Sequence, residues 1–280
     1  SLVETLGNLL YGACLVMATE EEKHDPHRLQ ALLMKEKVVS AVIPPALLTI
    51  MPKVNLPYLR NLIVSGEGVS ADAKDFWMKG RRMINAYGFT ENVILVTSGI
   101  YEKDTPVNDI GTAMPDTVMY VVDESLSPVP DGTPGELCIS GERLALGYWE
   151  RPELTSVKFI DNPFYAEGER NKGETRLLYR SGDKVIRLSN GHYLYLGRID
   201  NQIKIRGMRV EPGEIEQCLN TYPGISASVV LLKEHNNKQI LVAYLQTDHE
   251  VDRRNISAFV AERLPDYMRP TMFVTMKSFP

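Results

Sequence analysis

Residues 62–86 read LIVSGEGVSADAKDFWMKGRRMINA, and the architecture of the chain can be worked out from this segment. Residues 62–64 are a short apolar run typical of a buried strand, and residues 83–86 predict a second strand. Between them, Ser70 is suited to cap a helix that continues to Met78. A strand, a helix and a strand in this order are typical of a parallel sheet with covered faces. We therefore expect an α/β layer.

The residues before this segment continue the alternation of helices and strands. Four leucines fall on one face of a predicted N-terminal helix (Leu2, Leu6, Leu9 and Leu10). Residues 13–17 are apolar throughout and predict a buried strand, and residues 38–43 predict the next one. Asp25 followed by Pro26 predicts a helix start, because aspartate caps well and proline favours the first helical position. Residues 1–109 are thus expected to form the α/β layer.

The pattern changes after residue 109. Apolar and polar residues alternate in four runs that are separated by Pro- and Gly-rich turns (119–122, 137–140, 184–188 and 193–196). This alternation predicts an antiparallel β subdomain over residues 110–199. From Gln202 onward, a hairpin, a helix, two strands, a second helix and a last strand predict a small α+β C-terminal domain. We place the boundary near Asp200, so that this domain spans residues 200–280.

Composition limits the classes of protein to consider. The chain has 280 residues, which suggests about two domains, and 31 Lys and Arg against 36 Asp and Glu give a net charge of −5. An acidic chain lacks the basic surface that nucleic acid requires. No apolar run approaches the roughly 20 residues of a membrane span, and no signal peptide is recognised, so we expect a cytoplasmic protein. Cys14, Cys138 and Cys218 are expected to be buried and reduced.

Four segments carry side chains suited to chemistry, and the first comprises residues 85–91, NAYGFTE. It follows a predicted strand at the edge where parallel α/β sheets bind ligands. Its aromatic ring, glycine, hydroxyl and carboxylate could stack a base, approach a phosphate and hold a divalent cation. On local sequence alone, the more common alternative is a helix N-cap beside a structural tyrosine.

The other three segments are less specific. Residues 179–183, YRSGD, place Asp183 after a glycine, where it could begin a hairpin or accept hydrogen bonds from two ribose hydroxyls. Residues 197–207, GRIDNQIKIRG, contain three cations that could bind phosphate or RNA or could simply be solvated. The fourth segment, residues 135–141 (GELCISG) and 147–152 (GYWERP), indicates only a strand, a turn and a loop.

In this order and at these separations, the four segments resemble the adenylation domains of nonribosomal peptide synthetases. These domains belong to the adenylate-forming enzymes, together with acyl-CoA synthetases and luciferases. Residues 264–270, LPDYMRP, provide a fifth match, and residues 209–216, RVEPGEIE, extend the third segment. The resemblance covers essentially the whole chain. It implies that a carboxylic acid is activated with ATP and Mg²⁺ and is passed to the phosphopantetheine arm of a carrier domain, beside neighbouring synthetase domains.

The resemblance also implies roles for individual residues. Tyr87 would stack on the adenine, Asn85 would hydrogen-bond the edge of that base, and Gly66 would complete this part of the nucleotide site. The implied catalytic residues are Thr90, which would contact phosphate, and Glu91, which would hold Mg²⁺. Phe89 departs from the family pattern, which has proline between the glycine and the threonine.

The same resemblance implies roles for four further residues. Asp183 and Arg198 would bind the ribose hydroxyls. Asp200 would be the hinge about which the small, mobile domain swings between adenylate formation and thioester formation. Gly207 would let the pantetheine arm approach closely. The family's phosphate loop, an aspartate that pairs with a substrate amino group and a catalytic lysine find no match, so we expect an internal segment that is incomplete for catalysis.

Seven positions match the lining of the family's acid-binding pocket, and all but the serine are apolar (Val3, Val42, Ile63, Ser65, Ala86, Ile94 and Leu95). A charged substrate side chain would be buried there without a partner, at a cost of several kcal/mol. We therefore expect the substrate to be a neutral, mainly hydrophobic amino acid or a related carboxylic acid.

Two other functions stay open from the sequence. One is a stand-alone acyl- or aryl-CoA synthetase, or a D-alanine–carrier ligase, of the same fold. Residues 202–207 (QIKIRG) followed by residues 211–216 (EPGEIE) favour the peptide synthetase instead. The other is a non-catalytic docking module, which would have no need for Tyr87, Glu91 and Asp183.

Overall fold

The structure is a computed structural model that describes residues 2–165, 175–200, 202–205, 208–235, 238–249 and 251–279. It divides into two compact units, Ser1–Ile199 and Asp200–Pro280.

The helices of the first unit are α1 (Leu2–Leu10), α2 (Glu20–His24), α3 (Pro26–Lys35), α4 (Pro45–Ile50), α5 (Ala71–Trp77) and α6 (Pro152–Lys158). Its strands are β1 (Ser40–Val42), β2 (Asn61–Ser65), β3 (Arg82–Tyr87), β4 (Thr97–Ile100), β5 (Thr112–Ala113), β6 (Thr117–Val122), β7 (Pro134–Gly141), β8 (Phe159–Asp161), β9 (Leu177–Arg187) and β10 (Tyr193–Arg198).

The first sheet contains the parallel layer that the sequence predicts. β1, β2 and β3 are parallel neighbours, and β4 and β5 continue the sheet in antiparallel pairing. Ser70 caps α5 by accepting the backbone N–H of Ala73 at 3.3 Å, and Asp25 caps α3 by accepting that of His27 at 2.8 Å. The α/β class and both caps are therefore confirmed, whereas β4 adds an antiparallel strand within residues 1–109.

The core of this layer lies between the sheet and its helices. Trp77, Leu48, Leu62 and Met83 are fully buried. The indole Nε1 of Trp77 donates to the main-chain oxygen of Leu48 at 3.2 Å, so α5 is tied to α4 as well as packed against β2 and β3. This packing fixes the carboxyl ends of β2 and β3, where the candidate site residues begin.

Two predictions for the first fifty residues are wrong in part. Residues 13–17 form no strand, and Met17 and Cys14 are exposed. A short apolar run does not by itself determine pairing or burial. Residues 38–43 contain a strand only over Ser40–Val42. Of the other cysteines, Cys138 is buried as expected and Cys218 is half-buried.

The second sheet of this unit is antiparallel. Its strand order is β10-β9-β7-β6, and β8 pairs with β9. Each of the four period-two runs lies in or overlaps one of these long strands. The antiparallel β-structure expected after residue 109 is confirmed, apart from the short β5, which joins the first sheet.

The second unit is a small α+β unit with its own core. Its elements are β11 (Ile203–Ile205), β12 (Met208–Val210), α7 (Pro212–Asn220), β13 (Ala227–His235), β14 (Lys238–Gln246), α8 (Arg253–Ala261) and β15 (Met272–Met276). β11 and β12 form a hairpin, β13 pairs antiparallel with β14, and β15 runs parallel to β14. Ile215, Leu219, Leu245 and Ile256 are fully buried at its centre. No helix in the described part of the chain is long and apolar enough to cross a membrane.

Candidate functional site

A hydrogen bond joins Tyr87 to Asp183. Tyr87 ends β3, and its phenolic hydroxyl donates to Oδ2 of Asp183 in β9. Tyr87 is 6% exposed and Asp183 is 2% exposed. Burial, together with the negative charge of Asp183, raises the pKa of Tyr87 well above its ordinary value. The hydroxyl therefore keeps its proton and remains the donor.

Arg198 binds the other oxygen of the same carboxylate. Asp183 lies opposite Arg198 in the antiparallel pairing of β9 and β10, and Nη1 of Arg198 is 2.8 Å from Oδ1 of Asp183. The same nitrogen donates to the main-chain oxygen of Ser181 at 2.8 Å. Burying a carboxylate this deeply without a partner costs free energy, and the ion pair with Arg198 offsets that cost for Asp183.

The glycine before Asp183 forms a bulge within β9 and does not begin a hairpin. The pairing of β7 with β9 shifts register after Glu136, and Gly182 has a φ of 72°, a conformation that favours glycine. Oε1 of Glu136 accepts the N–H of Gly182 at 3.1 Å, and Oγ of Ser181 accepts the N–H of Asp183 at 3.0 Å. These bonds set the direction in which the Asp183 side chain leaves the strand.

Glu91 lies in a 3-10 turn, Thr90–Asn92, that follows β3. It is 6% exposed, its Oε1 accepts from the hydroxyl of Tyr148 at 2.5 Å, and its main-chain oxygen accepts the N–H of Ala145 at 2.8 Å. Burial and the bond to Glu91 raise the pKa of Tyr148 well above its ordinary value, so the hydroxyl remains the donor. No α-helix starts at this turn, which removes the N-cap interpretation of residues 85–91.

Aromatic contacts connect the two buried carboxylates. The hydroxyls of Tyr148 and Tyr179 are 3.5 Å apart, and the ring of Tyr179 is 5.0 Å from that of Phe89, centroid to centroid. Phe89 in turn meets Tyr87 edge-on at 6.1 Å. Sequence reasoning gave no role to Tyr148 or Tyr179, although both lie in segments that it singled out, because no local signal shows which side chains meet.

The remaining residues implied in nucleotide binding lie at the ends of neighbouring strands. Asn85 in β3 is 8% exposed, and its Nδ2 donates to the main-chain oxygen of Asp109 at 2.7 Å. Gly66 follows β2 directly with a φ of 90°. Thr90 is exposed in the turn after β3. Because β2 and β3 are parallel neighbours, these residues lie along one edge of the sheet.

Four of the seven predicted pocket residues share one face of the first sheet. The register places Val42 beside Ile63 and Ser65 beside Ala86, and alternate residues of a strand point the same way. Ala86 is 3% exposed and the other three are half-buried. Of these four side chains, only that of Ser65 is polar.

Ile94 and Leu95 follow the turn that contains Glu91, and Ile94 is exposed whereas Leu95 is half-buried. The backbone at residues 94–95 runs against Gly88, where a Cβ would lie 1.9 Å from the main-chain oxygen of Ile94. The side chain of Val3 and the whole of Gly207 lie outside the described residues.

Asp200 is the first residue of the second unit. Its Oδ1 accepts the backbone N–H of Gln202 at 3.2 Å. This local bond shapes the start of the unit, at the position where the resemblance implies a hinge.

Residues 1–149 match the family model described as AMP-binding enzyme, which is more than half of the chain. The chain belongs to this family. It is 38% identical to bacitracin synthase 3 of Bacillus licheniformis, over 100% of its own length and 4% of that synthase. It is also 38% identical to tyrocidine synthase 1 of Brevibacillus parabrevis, over 100% of its own length and 25% of that synthase. Its resemblance to peptide synthetase adenylation domains is thereby confirmed.

Solved structures of adenylation proteins share the fold of this AMP-binding enzyme. The adenylation domain AlmE of Vibrio cholerae, in complex with glycyl-adenosine-5'-phosphate, superposes with a TM-score of 0.82 at 25% identity, over 97% of this chain and 52% of AlmE. A four-domain nonribosomal peptide synthetase bound to AMP and glycine gives a TM-score of 0.63 at 32% identity, over 100% of this chain and 21% of that protein. The chain thus spans about half of AlmE and a small part of the larger synthetases.

Proposed function

We propose that this chain is part of an adenylation domain that activates a neutral, mainly hydrophobic amino acid, or a related carboxylic acid, with ATP. The acyl group would then pass to the phosphopantetheine arm of a carrier domain in nonribosomal peptide synthesis. The proposal rests on membership of the AMP-binding enzyme family and on similarity to tyrocidine synthase 1 and to AlmE.

The observation that carries the proposal is the convergence of distant motifs. Tyr87, Asp183 and Arg198 are joined by hydrogen bonds, and a continuous set of aromatic contacts leads from Tyr87 to the buried Glu91. A nucleotide site needs an aromatic ring, a carboxylate for the ribose and a carboxylate for a metal. Tyr87 and Glu91 lie at or just after the end of β3, at the edge where parallel sheets bind ligands, and Asp183 of β9 meets Tyr87 there.

The donor set at Glu91 fits Mg²⁺ bound through a nucleotide. The described residues contain no cluster of three or more His, Cys, Asp or Glu side chains that could hold a metal by themselves. Mg²⁺ is usually held by one or two carboxylates together with substrate phosphates and water, so a lone Glu91 is sufficient. When bound, such a metal offsets the charge of the triphosphate. Thr90 is exposed beside Glu91, and in this proposal it would donate its hydroxyl to a phosphate oxygen.

Asp183 and Tyr87 would bind the nucleoside only after local rearrangement. Both are almost fully buried, and the Asp183 carboxylate is already bonded to Tyr87 and Arg198. A carboxylate has about four acceptor positions, so it can keep Arg198 while it accepts ribose hydroxyls. We infer that the nucleoside competes with the hydroxyl of Tyr87 for this carboxylate.

The substrate class is inferred from the shared face of Val42, Ile63, Ser65 and Ala86. Three of the four side chains are apolar, and they offer no charge to pair with a charged substrate. Burying an unpaired charge there would cost several kcal/mol, so the face favours a neutral side chain.

The test is ATP–pyrophosphate exchange by the full-length protein over a panel of neutral, acidic and basic amino acids and related acids. We expect exchange with neutral, apolar members, and Asp183→Asn should raise the ATP concentration required. Exchange that depends only on a charged acid would overturn the substrate class. Exchange with none, while AMP also fails to raise the melting temperature, would overturn the function itself.

The hinge role of Asp200 and the pantetheine role of Gly207 belong to the same proposal. Asp200→Pro should restrict rotation at the start of the second unit, since proline fixes φ. We expect adenylate formation to be spared relative to loading of the carrier. Equal losses in both steps would contradict the hinge role.

A further inference from the structure

The side-chain amide of Asn85 is oriented by a neighbouring loop. Its Nδ2 is 2.7 Å from the main-chain oxygen of Asp109, and both residues are buried. A carbonyl oxygen can only accept, so it must face the NH2 group of the amide. Oδ1 of Asn85 is therefore turned away from Asp109, and no described residue donates a hydrogen bond to it.

Asp109 is itself held in place through its carboxylate. Oδ1 accepts the N–H of Gly111 at 2.7 Å, and Oδ2 is 2.9 Å from Nδ1 of His192. The ionised carboxylate only accepts, so Nδ1 of His192 carries the proton. The next residue, Ile110, donates its N–H to the main-chain oxygen of Tyr193 at 2.9 Å, which ties the loop to β10. The main chain that carries this carbonyl is thus held by its pairing with β10, and His192 adds a second restraint through the Asp109 carboxylate.

His192 lies where a substitution is tolerable. It lines a cavity of about 760 Å³ together with Asp109, Arg82 and Lys103, and its side chain is 31% exposed. Shortening a side chain next to an open cavity enlarges a space that water already reaches, which costs less than creating a sealed void. The donor can therefore be removed without a large loss of packing.

We propose that Asp109 and His192 are positioning residues that hold the amide of Asn85 with Oδ1 toward the nucleotide base. This inference rests on the proposed function and on the role that the family resemblance implies for Asn85, a hydrogen bond to the edge of adenine. An oxygen that only accepts matches the 6-amino group of adenine and opposes the 6-keto oxygen of hypoxanthine. The pair thereby sets the preference for adenine over hypoxanthine nucleotides.

The experiment measures the binding of AMP and IMP to the full-length protein by isothermal titration calorimetry. His192→Ala removes the donor to Asp109, and His192→Asn replaces Nδ1–H by an amide NH2. We expect the native protein to prefer AMP, and His192→Ala to lower the ratio of the two affinities about three- to tenfold, as the loss of one hydrogen bond would. His192→Asn should recover most of this ratio. His27→Ala, at an exposed histidine, is the matched control and should not change it.

The outcomes separate this inference from the function on which it rests. Absence of AMP binding by the native protein would overturn the proposed function. Equal binding of AMP and IMP by the native protein, or an unchanged ratio in His192→Ala, would overturn the positioning role alone. Equal weakening of AMP and IMP in both His192 variants would indicate a merely structural role and would also overturn it. If His192→Ala fails to fold by circular dichroism, Asp109→Asn, which keeps the side-chain size, takes its place in the same comparison.

Discussion

The phenolic oxygen of Tyr148 lies 2.5 Å from Oε1 of Glu91, a residue 57 positions earlier in the chain. The bond connects the segment after β7 to the turn after β3. Because its pKa is raised, the hydroxyl keeps its proton and can donate it to the carboxylate. The carboxylate that we propose for Mg²⁺ is thus aimed before any ligand arrives, as is common for residues that support metal ligands.

Replacing Tyr148 by phenylalanine should lower the free energy of unfolding. The change leaves the buried Glu91 with one donor fewer, and a hydrogen bond to a charged group contributes about 1.5–3 kcal/mol. Urea denaturation followed by circular dichroism measures this loss. Tyr11→Phe is the matched control, since Tyr11 is 93% exposed and the change should be neutral. Equal stability of the two variants would show that the bond is not formed in solution.

Replacing Arg198 by methionine should be more damaging. The change leaves the carboxylate of Asp183 buried without its cation, which typically costs about 3–5 kcal/mol. Asp183→Asn removes the charge that needs a partner. The variant with both changes should therefore lose less free energy of unfolding than the two single variants lose together. The four proteins of this cycle are compared by urea denaturation. Strictly additive losses would mean that the two side chains do not interact.

Replacing Asn92 by leucine should stabilise the protein. Asn92 is fully buried, and neither of its amide atoms has a hydrogen-bond partner among the described residues. An unsatisfied buried polar group costs about 1–3 kcal/mol, part of which an apolar side chain of similar size recovers. Thermal unfolding should show a higher midpoint for Asn92→Leu and no rise for Asn55→Leu at an exposed position. A lower midpoint would indicate that an ordered water completes the amide.

Stability should fall at alkaline pH, in part because of Cys138. Burial raises the pKa of this thiol to about 12, whereas an unfolded cysteine has a pKa of about 8.5. The folded protein therefore holds this proton more tightly, so its stabilising effect is complete below about pH 8.5 and is lost as the pH rises toward 12. The pKa values of Tyr87 and Tyr148 are raised in the folded protein as well. Because an unfolded tyrosine has a pKa of about 10, these two residues lower the stability only above about pH 10.

The contribution of Cys138 can be isolated by comparing slopes. The free energy of unfolding is measured in urea from pH 7 to 10 for the native protein and for Cys138→Ala. The variant loses packing at every pH, but its stability should decline less steeply above pH 8.5. Parallel curves would contradict the raised pKa.

Much of the fold follows from local pattern. The strand–helix–strand unit of β2, α5 and β3 is visible in residues 62–86 because both apolar runs are bounded by caps and glycines. Residues 13–17 are equally apolar and yet form no strand, since burial depends on what a segment meets in space. The antiparallel β4 was not predicted either, because its four residues include a glycine and show no clear alternation.

The sequence predicted that the candidate site residues converge around one nucleotide, but not the contacts that join them. Motif order pointed to Tyr87, Glu91, Asp183 and Arg198. In the structure, hydrogen bonds join Tyr87, Asp183 and Arg198, and aromatic contacts lead from Tyr87 to the Tyr148 that binds Glu91. Tyr148 and Glu136 act through long-range contacts, so local sequence carries no signal for them. The deep burial of Tyr87 was also unexpected, because it depends on a partner 96 positions away.

Gly88 limits changes to the main chain of residues 94 and 95, which we propose to line the acid-binding pocket. Any side chain at this position would collide with the peptide unit of Ile94, so the main chain on which residues 94 and 95 sit cannot be shifted from that side. A library that aims at new substrates should therefore vary the side chains at 94 and 95 and keep position 88 constant. Insertions in this turn would be expected to yield misassembled proteins and not altered preferences.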